Sequence, residues 1–339
     1  MQKIVERKVN SSDLIDSPKQ TKPLGKYRPK NWLDTISRLY IAILYLFKYA
    51  MPLKKVYFPF AYLEKVKRRG ENYTFKIILL DDLPLLLLAF CWQASNCVLR
   101  GISLIFLLVS FWCVYEIGYY ENDLVAEKYE QKPKLASTYH AHKQMMETSY
   151  PWIWSLVLGW IGIVLLNKAH GVYSPFTNLL VEDIKFINPT VLFFLSWVIF
   201  LAFVRYCFKI YNYLNKQART WLYLILQSLR YYGFLWVTGT NLIGISVLSS
   251  HILSRSLLYI VYRYSGGNSH NWPRELPEKF LRCCIFIFIL ITICFGSHNL
   301  AIWQSWQTWV ILLWSAIRSQ DQIRKTVSQF KPIFQDNSN

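Results

Sequence analysis

From Phe75 onward the chain alternates long, mostly apolar blocks with short polar connections. Such blocks need an apolar surround, and about 20 residues coiled as a helix match the ~30 Å of a bilayer's hydrocarbon. Eight spans are predicted: Phe75 to Gln93, Val98 to Tyr119, Trp152 to Asn167, Pro189 to Tyr211, Thr220 to Trp236, Leu242 to Val261, Cys283 to Gly296, and Ile302 to Ile317. The expected fold is therefore an all-α polytopic membrane protein, a bundle of about eight to nine transmembrane helices. Trp152, Trp154, Trp303 and Trp306 at block ends fit the interfacial aromatic belt.

The flanks differ from the blocks. Residues 1–37 are polar and basic, with Pro18, Pro23 and Pro29, and read as a disordered cytoplasmic tail without the apolar stretch of a cleavable signal peptide. Residues 38–70 are apolar and aromatic but are interrupted by Lys48, Pro52, Lys54, Lys55 and Pro59, which suits an interfacial or re-entrant amphipathic segment. Residues 71–320 form the expected bundle, and 321–339 a cytoplasmic tail.

Composition agrees with the pattern, since 53% of the residues are hydrophobic and 17% charged. The formal net charge of +18 does not point to nucleic acid, because Lys and Arg flank apolar blocks instead of forming a separate module. Membrane lipids and a phosphorylated ligand are the expected partners. Basic connections alternate with connections nearly free of Lys and Arg, which places both termini in the cytoplasm, with the plasma (inner) membrane as the expected location. The 7 cysteines lie in or beside apolar blocks without a C-x-x-C pair, and read as small buried hydrophobes.

Candidate chemistry begins at the end of the second span, in the stretch YEIGYYENDLVAEKYEQKPK from Tyr115 to Lys134. If the helix continues, Glu116, Asp123, Glu127 and Glu130, spaced 7, 4 and 3 apart, form one acidic stripe beside Asn122 and Lys128. Carboxylates on one face repel, so they call for a cation or basic partners, and Mg²⁺ completed by phosphate oxygens suits them. A solvated charged face is the plainer reading, although Glu116 lies inside the span, where an acid is a functional candidate.

These residues resemble the first aspartate-rich motif, N-D-x-x-D-x-x-x-D, of the UbiA-type intramembrane prenyltransferase superfamily. Asn122 and Asp123 match its opening and Glu130 its last acid, with Pro133 close behind. Ala126 stands at the middle aspartate, with Glu127 one step later, and no second aspartate-rich motif follows, since no Asp lies between Asp183 and Asp321. The resemblance implies a helical bundle around a polyprenyl diphosphate or phosphate, Mg²⁺ held by Asp123, Glu127 and Glu130, catalytic roles for these three and Asn122, and an acceptor that is left open.

In place of the second motif the later half offers His251, Arg255, Tyr259 and Arg263 at steps of four along one helical face. Arg binds phosphate oxygens through its planar fork and can replace part of a metal's role. Glu116, Lys128, Arg255, His251 and Arg263 are accordingly the expected substrate-binding residues, with Arg205, Lys209 and Arg230 adding to the field. A plainer alternative has Arg255 pairing with an acid and Arg263 reaching lipid headgroups. Asp81 and Asp82 read more readily as solvated surface acids than as cavity residues, and His140 and His142 as loop residues. The expected activity is UbiA-like prenyl transfer or cyclisation; the competing class is a non-catalytic membrane protein that binds prenyl lipid or serves transport or assembly.

Overall fold

The computed structural model describes residues 57–131, 133, 135–143, 147–169, 188–264, 277–298 and 300–328. All belong to one compact unit, Lys55–Asn339; the other unit, Met1–Lys54, lies outside the described residues, and with it the expected tail and most of the segment 38–70.

Among the described residues the structure is all-helical, without a strand. A short π-helix α1 (Leu63–Lys67) precedes a second π-helix α2 (Thr74–Asp82) that runs straight into α3 (Leu83–Phe90). Then come α4 (Cys97–Tyr129), the short α5 (Tyr139–His142), α6 (Ser149–Lys168), α7 (Pro189–Tyr213), α8 (Lys216–Tyr232) and α9 (Leu242–Tyr264). The chain closes with α10 (Glu278–Ser297), one turn α11 (Ala301–Gln304) and α12 (Trp306–Val327). Each predicted span falls on a helix or helix pair, that from Thr220 to Trp236 on α8 and the 3₁₀ turn Gly233–Trp236 that follows it. Five of them, α4, α6, α7, α9 and α10, are long and apolar enough to cross a membrane. The helix α12 continues past position 320, where the sequence suggested the bundle's edge.

Local chemistry sets the helix starts. Asn96, Asn188 and Asn215 each accept a backbone N–H of the first turn, at 2.9, 2.9 and 2.8 Å, and Pro189 follows the second of these caps. Inside the bundle α4 packs along α6 and α7, while α9 packs on α8, α10 and α3. The α4–α6 contact is close because small residues face each other. Ser103 donates to the Gly162 carbonyl and Ser110 to the Ser155 carbonyl, both at 2.7 Å, and a Cβ on Gly162 would come within 2.8 Å of Leu107. Small faces with hydroxyl-to-carbonyl bonds hold helices together where burial from water supplies no drive.

Outward faces are apolar. On α7 Val191, Leu195, Ile199, Phe203 and Tyr206 are exposed while Phe193, Trp197, Phe200, Val204 and Phe208 are buried. Phe288 and Phe295 on α10, and Trp306 and Leu313 on α12, are more than three-fifths exposed. Apolar exposure on several helices at once is what lipid as solvent permits and water does not.

Candidate anion-binding cavity

The acidic stripe does lie on a continuous helix, because α4 runs through to Tyr129, yet its carboxylates are spent on the protein itself. Glu116 is fully buried and accepts from the backbone N–H of Phe60 at 3.1 Å, that of Leu63 at 2.6 Å and the hydroxyl of Tyr57, so it anchors the turn that enters α1. Asp123 receives Lys67 at 2.5 Å and the Tyr62 hydroxyl at 2.8 Å. Burial first, and then the adjacent Asp123, raise the pKa of that hydroxyl well above its ordinary value, so it stays a donor. Glu127 takes Lys143 at 2.6 Å and Tyr139 at 2.9 Å from the α5 side, and Glu130 takes Arg219 at 3.2 Å from α8. Lys128 is exposed and lies over the Tyr129 ring.

Asp81 and Asp82 are not solvated: both are 1% exposed. Near the end of α2 they receive cations from α8, α9, α10 and α12. Asp82 accepts from Arg230 and, at 2.9 Å, from the Tyr231 hydroxyl, with Arg255 at 3.7 Å. Asp81 is gripped by both forks of Arg318, at 2.9 and 3.0 Å, with Lys279 and Arg282 at 3.7 and 3.8 Å. Arg255 completes its set with Glu278 at 2.7 Å and Tyr231 at 2.6 Å. His251, fully buried, bridges Tyr231 at 2.9 Å and Arg282 at 3.1 Å. Five cations thus meet three carboxylates, Asp81, Asp82 and Glu278, leaving positive charge in excess.

Arg230 and Arg255 carry that excess to the wall of a cavity of about 470 Å³. Lys67, Arg68 and Arg263 line it as well, and Glu278 is the one carboxylate among the lining residues. Among the described residues Arg263 has no carboxylate partner; its Nε donates to the Tyr259 hydroxyl at 2.8 Å. Most of the remaining wall is aromatic, with Tyr115, Tyr119, Tyr211, Tyr223 and Tyr259 among it, and Tyr223 stacks on Tyr259 with centroids 3.9 Å apart. Gly118 matters at one corner, since a Cβ there would meet the ring of Phe208, a lining residue, at 2.4 Å.

Of the expected site residues, the cavity brings together Asn122, Arg255 and Arg263. His251 stands behind the wall in the buried network, while Glu116, Asp123, Glu127, Glu130 and Lys128 are not among the lining residues. The stripe therefore does not converge on one point. Among the described residues no group of three or more His, Cys, Asp and Glu is placed to hold a metal ion. Asp123, Glu127 and Glu130, each drawn to a different cation, do not fit Mg²⁺ in this arrangement. Asp183 and the Gly266–Gly267 loop lie outside the described residues.

Sequence reasoning passed over Lys67, Arg68, Tyr223 and Gln227 as wall residues, and ranked the inward role of Asp82 below surface solvation. For α8 a signal existed: Tyr223, Gln227 and Arg230, at steps of four and three, share one face of a helix whose other face is apolar. No family model, no curated protein and no solved structure matches the chain.

Proposed function

We propose that this multi-pass membrane protein binds the phosphate or diphosphate head of a polyprenyl lipid in the cavity between α2, α4, α8, α9 and α10, as the donor site of a UbiA-like prenyl transfer. What carries the reading is the balance of the wall: five cations to one carboxylate, backed by a buried network that itself carries excess positive charge. A guanidinium in such a wall needs an anion, and Glu278, which already takes Arg255, does not supply Arg263 as well, while the exposed Arg68 has Glu71 at 3.5 Å. Phosphate matches the Arg fork.

Chemically, the wall stabilises negative charge as a diphosphate departs, and the tyrosine faces stabilise an allylic cation left behind. Mg²⁺, implied by the motif resemblance, carries no step here. Eight spans with both termini in the cytoplasm of a plasma (inner) membrane complete the proposal, and put the cavity at the cytoplasmic end of the bundle. A non-catalytic lipid binder is the second reading, favoured by one observation: Asp123, Glu127 and Glu130 each already have a basic partner, and Glu116 is taken up by backbone N–H groups and a tyrosine hydroxyl.

Binding of geranylgeranyl diphosphate and of geranylgeraniol to wild type and Arg255→Gln tests the reading. The substitution is expected to cost the diphosphate about 1.5–3 kcal/mol, the scale of a charge-assisted hydrogen bond, and to leave the alcohol unchanged. Equal losses for both ligands would assign Arg255 to Asp82 and Glu278 alone and reject the phosphate role.

A further inference from the structure

On α7 the exposed stripe changes character toward the C-terminal end of the helix. Leu195, Ile199 and Phe203 are followed on the same face, at steps of three and four, by Tyr206, Lys209 and Tyr213, all of them exposed. The end of α4 meets this stripe. The ring of Tyr129, 63% exposed, lies 6.5 Å from that of Tyr213, and the ammonium of Lys128 sits 5.1 Å over the Tyr129 ring. Tyr206, Lys209, Tyr213, Tyr129 and Lys128 thus make one outward patch, and none of them lines the cavity.

The charge of this patch is unbalanced. Among the described residues neither lysine has an ion pair, and the acids next to the patch are already taken: Glu127 by Lys143 at 2.6 Å, Glu130 by Arg219 at 3.2 Å and Glu121 by Arg205 at 2.8 Å. The exposed stripe of α10, by contrast, runs through Cys284, Phe288, Ile291 and Phe295 without a charge. An end built of lysine and tyrosine therefore marks the α4–α7 edge and is not shared by α10.

We propose that this edge is a docking site for one acidic phospholipid, its phosphate held by Lys128 and Lys209, its glycerol against Tyr129, Tyr206 and Tyr213, and its acyl chains along Phe203 and Ile199. Tyrosine suits such a place because its ring meets hydrocarbon while its hydroxyl meets the polar layer. Lysine carries a point charge on a flexible apolar stem, so from a lipid-facing helix it reaches the headgroups. Tyr206 and Tyr213, seven residues apart, are separated by ~10 Å along the axis, which covers a headgroup layer of about 5–7 Å. The same inventory selects the charge of the occupant. A zwitterionic head brings an ammonium that finds no free carboxylate among the described residues of this edge, whereas an acidic head has no such group to place. Lys128, expected from the sequence to bind substrate, then acts on the outside of the bundle, as does Lys209.

Lipid retention by the full chain tests the site, independently of what the cavity binds. The protein is equilibrated in detergent with equimolar phosphatidylglycerol and phosphatidylcholine of identical acyl chains, and bound lipid is counted by native mass spectrometry; the melting temperature without lipid reports the fold. Wild type is expected to keep one phosphatidylglycerol with a preference of about ten- to thirty-fold, the scale of two lysines at an anionic lipid surface. Lys128→Gln combined with Lys209→Gln is expected to abolish the preference and leave the lipid-free melting temperature unchanged, since neither exposed lysine holds another residue by an ion pair. Lys65→Gln combined with Lys76→Gln, two exposed lysines away from the patch, is expected to keep the preference. Equal retention of the two lipids by wild type overturns the site, and so does a preference that survives the loss of Lys128 and Lys209. Equal loss in the two double variants overturns it as well, because the preference would then follow total charge and not this edge.

Discussion

Glu116 shows how a single carboxylate inside an apolar helix is kept. Its oxygens collect two backbone N–H groups and a tyrosine hydroxyl from the turn around Phe60 and Leu63, so the acid is bound to the fold and not to a ligand. Glu116→Ala leaves those donors without an acceptor, at about 1–3 kcal/mol for each. The expected outcome is a large loss of stability in thermal or denaturant unfolding, with the ligand affinity of the folded fraction unchanged. Unchanged stability with lost affinity would move Glu116 into the site. In the sequence, the stripe's register was legible because Glu116, Asp123 and Glu127 do share a helical face. Its partners were not, since Lys67, Lys143 and Arg219 come from segments whose packing against α4 no local spacing encodes.

At the scale of elements, the adjacent Asp81 and Asp82 divide the cations of four helices between two jobs. Asp82 holds Arg230 and stands near Arg255 in the cavity wall, whereas Asp81 holds Arg318, Arg282 and Lys279 away from it. Removing either charge breaks a buried pair, on the order of 3–5 kcal/mol, so Asp81→Asn and Asp82→Asn are both expected to destabilise. Diphosphate affinity separates them, with a loss of about ten-fold for Asp82→Asn and little change for Asp81→Asn. Comparable losses in both would reduce the pair to scaffolding. A second element-level test concerns α4 and α6, where Gly162→Val drives a branched side chain into Leu107. About 1–3 kcal/mol of overpacking is expected in unfolding measurements, and a neutral result would mean that the helices do not meet as closely as Ser103 and Ser110 indicate.

Hydrophobic blocks located the helices well, because lipid-facing and core-facing positions are both apolar and leave long uninterrupted runs. They misled at Asp81 and Asp82, which sit in the first half of a block beside Pro84 and read as a solvated pair. Their burial follows from tertiary pairing with Arg230 and Arg318, distant by about 150 and 240 positions. The basic face of α9 was legible by its steps of four, and Arg255 and Arg263 do meet in the cavity, while His251 lies a turn deeper and serves Tyr231 and Arg282.

For the whole molecule, exposed apolar faces on α7, α10 and α12 and an interior rich in ion pairs describe a protein whose outside is lipid and whose polar work is internal. The eight spans proposed above predict that Ser137 and Ser174 lie on opposite sides of the membrane. Cysteines introduced at these positions are expected to label from opposite sides with an impermeant maleimide, and labelling of both from one side would sink the topology. The division of labour between an internal acidic stripe and a basic cavity is tested most directly by one titration. Geranylgeranyl diphosphate is bound to wild type, Arg263→Gln and Glu127→Gln, each with Mg²⁺ and again with EDTA. The expected result is that Arg263→Gln weakens binding about ten-fold in either buffer, while Glu127→Gln and EDTA leave it near wild type. Binding that vanishes in EDTA or in Glu127→Gln and survives in Arg263→Gln would contradict the cavity and return the phosphate to the acidic stripe.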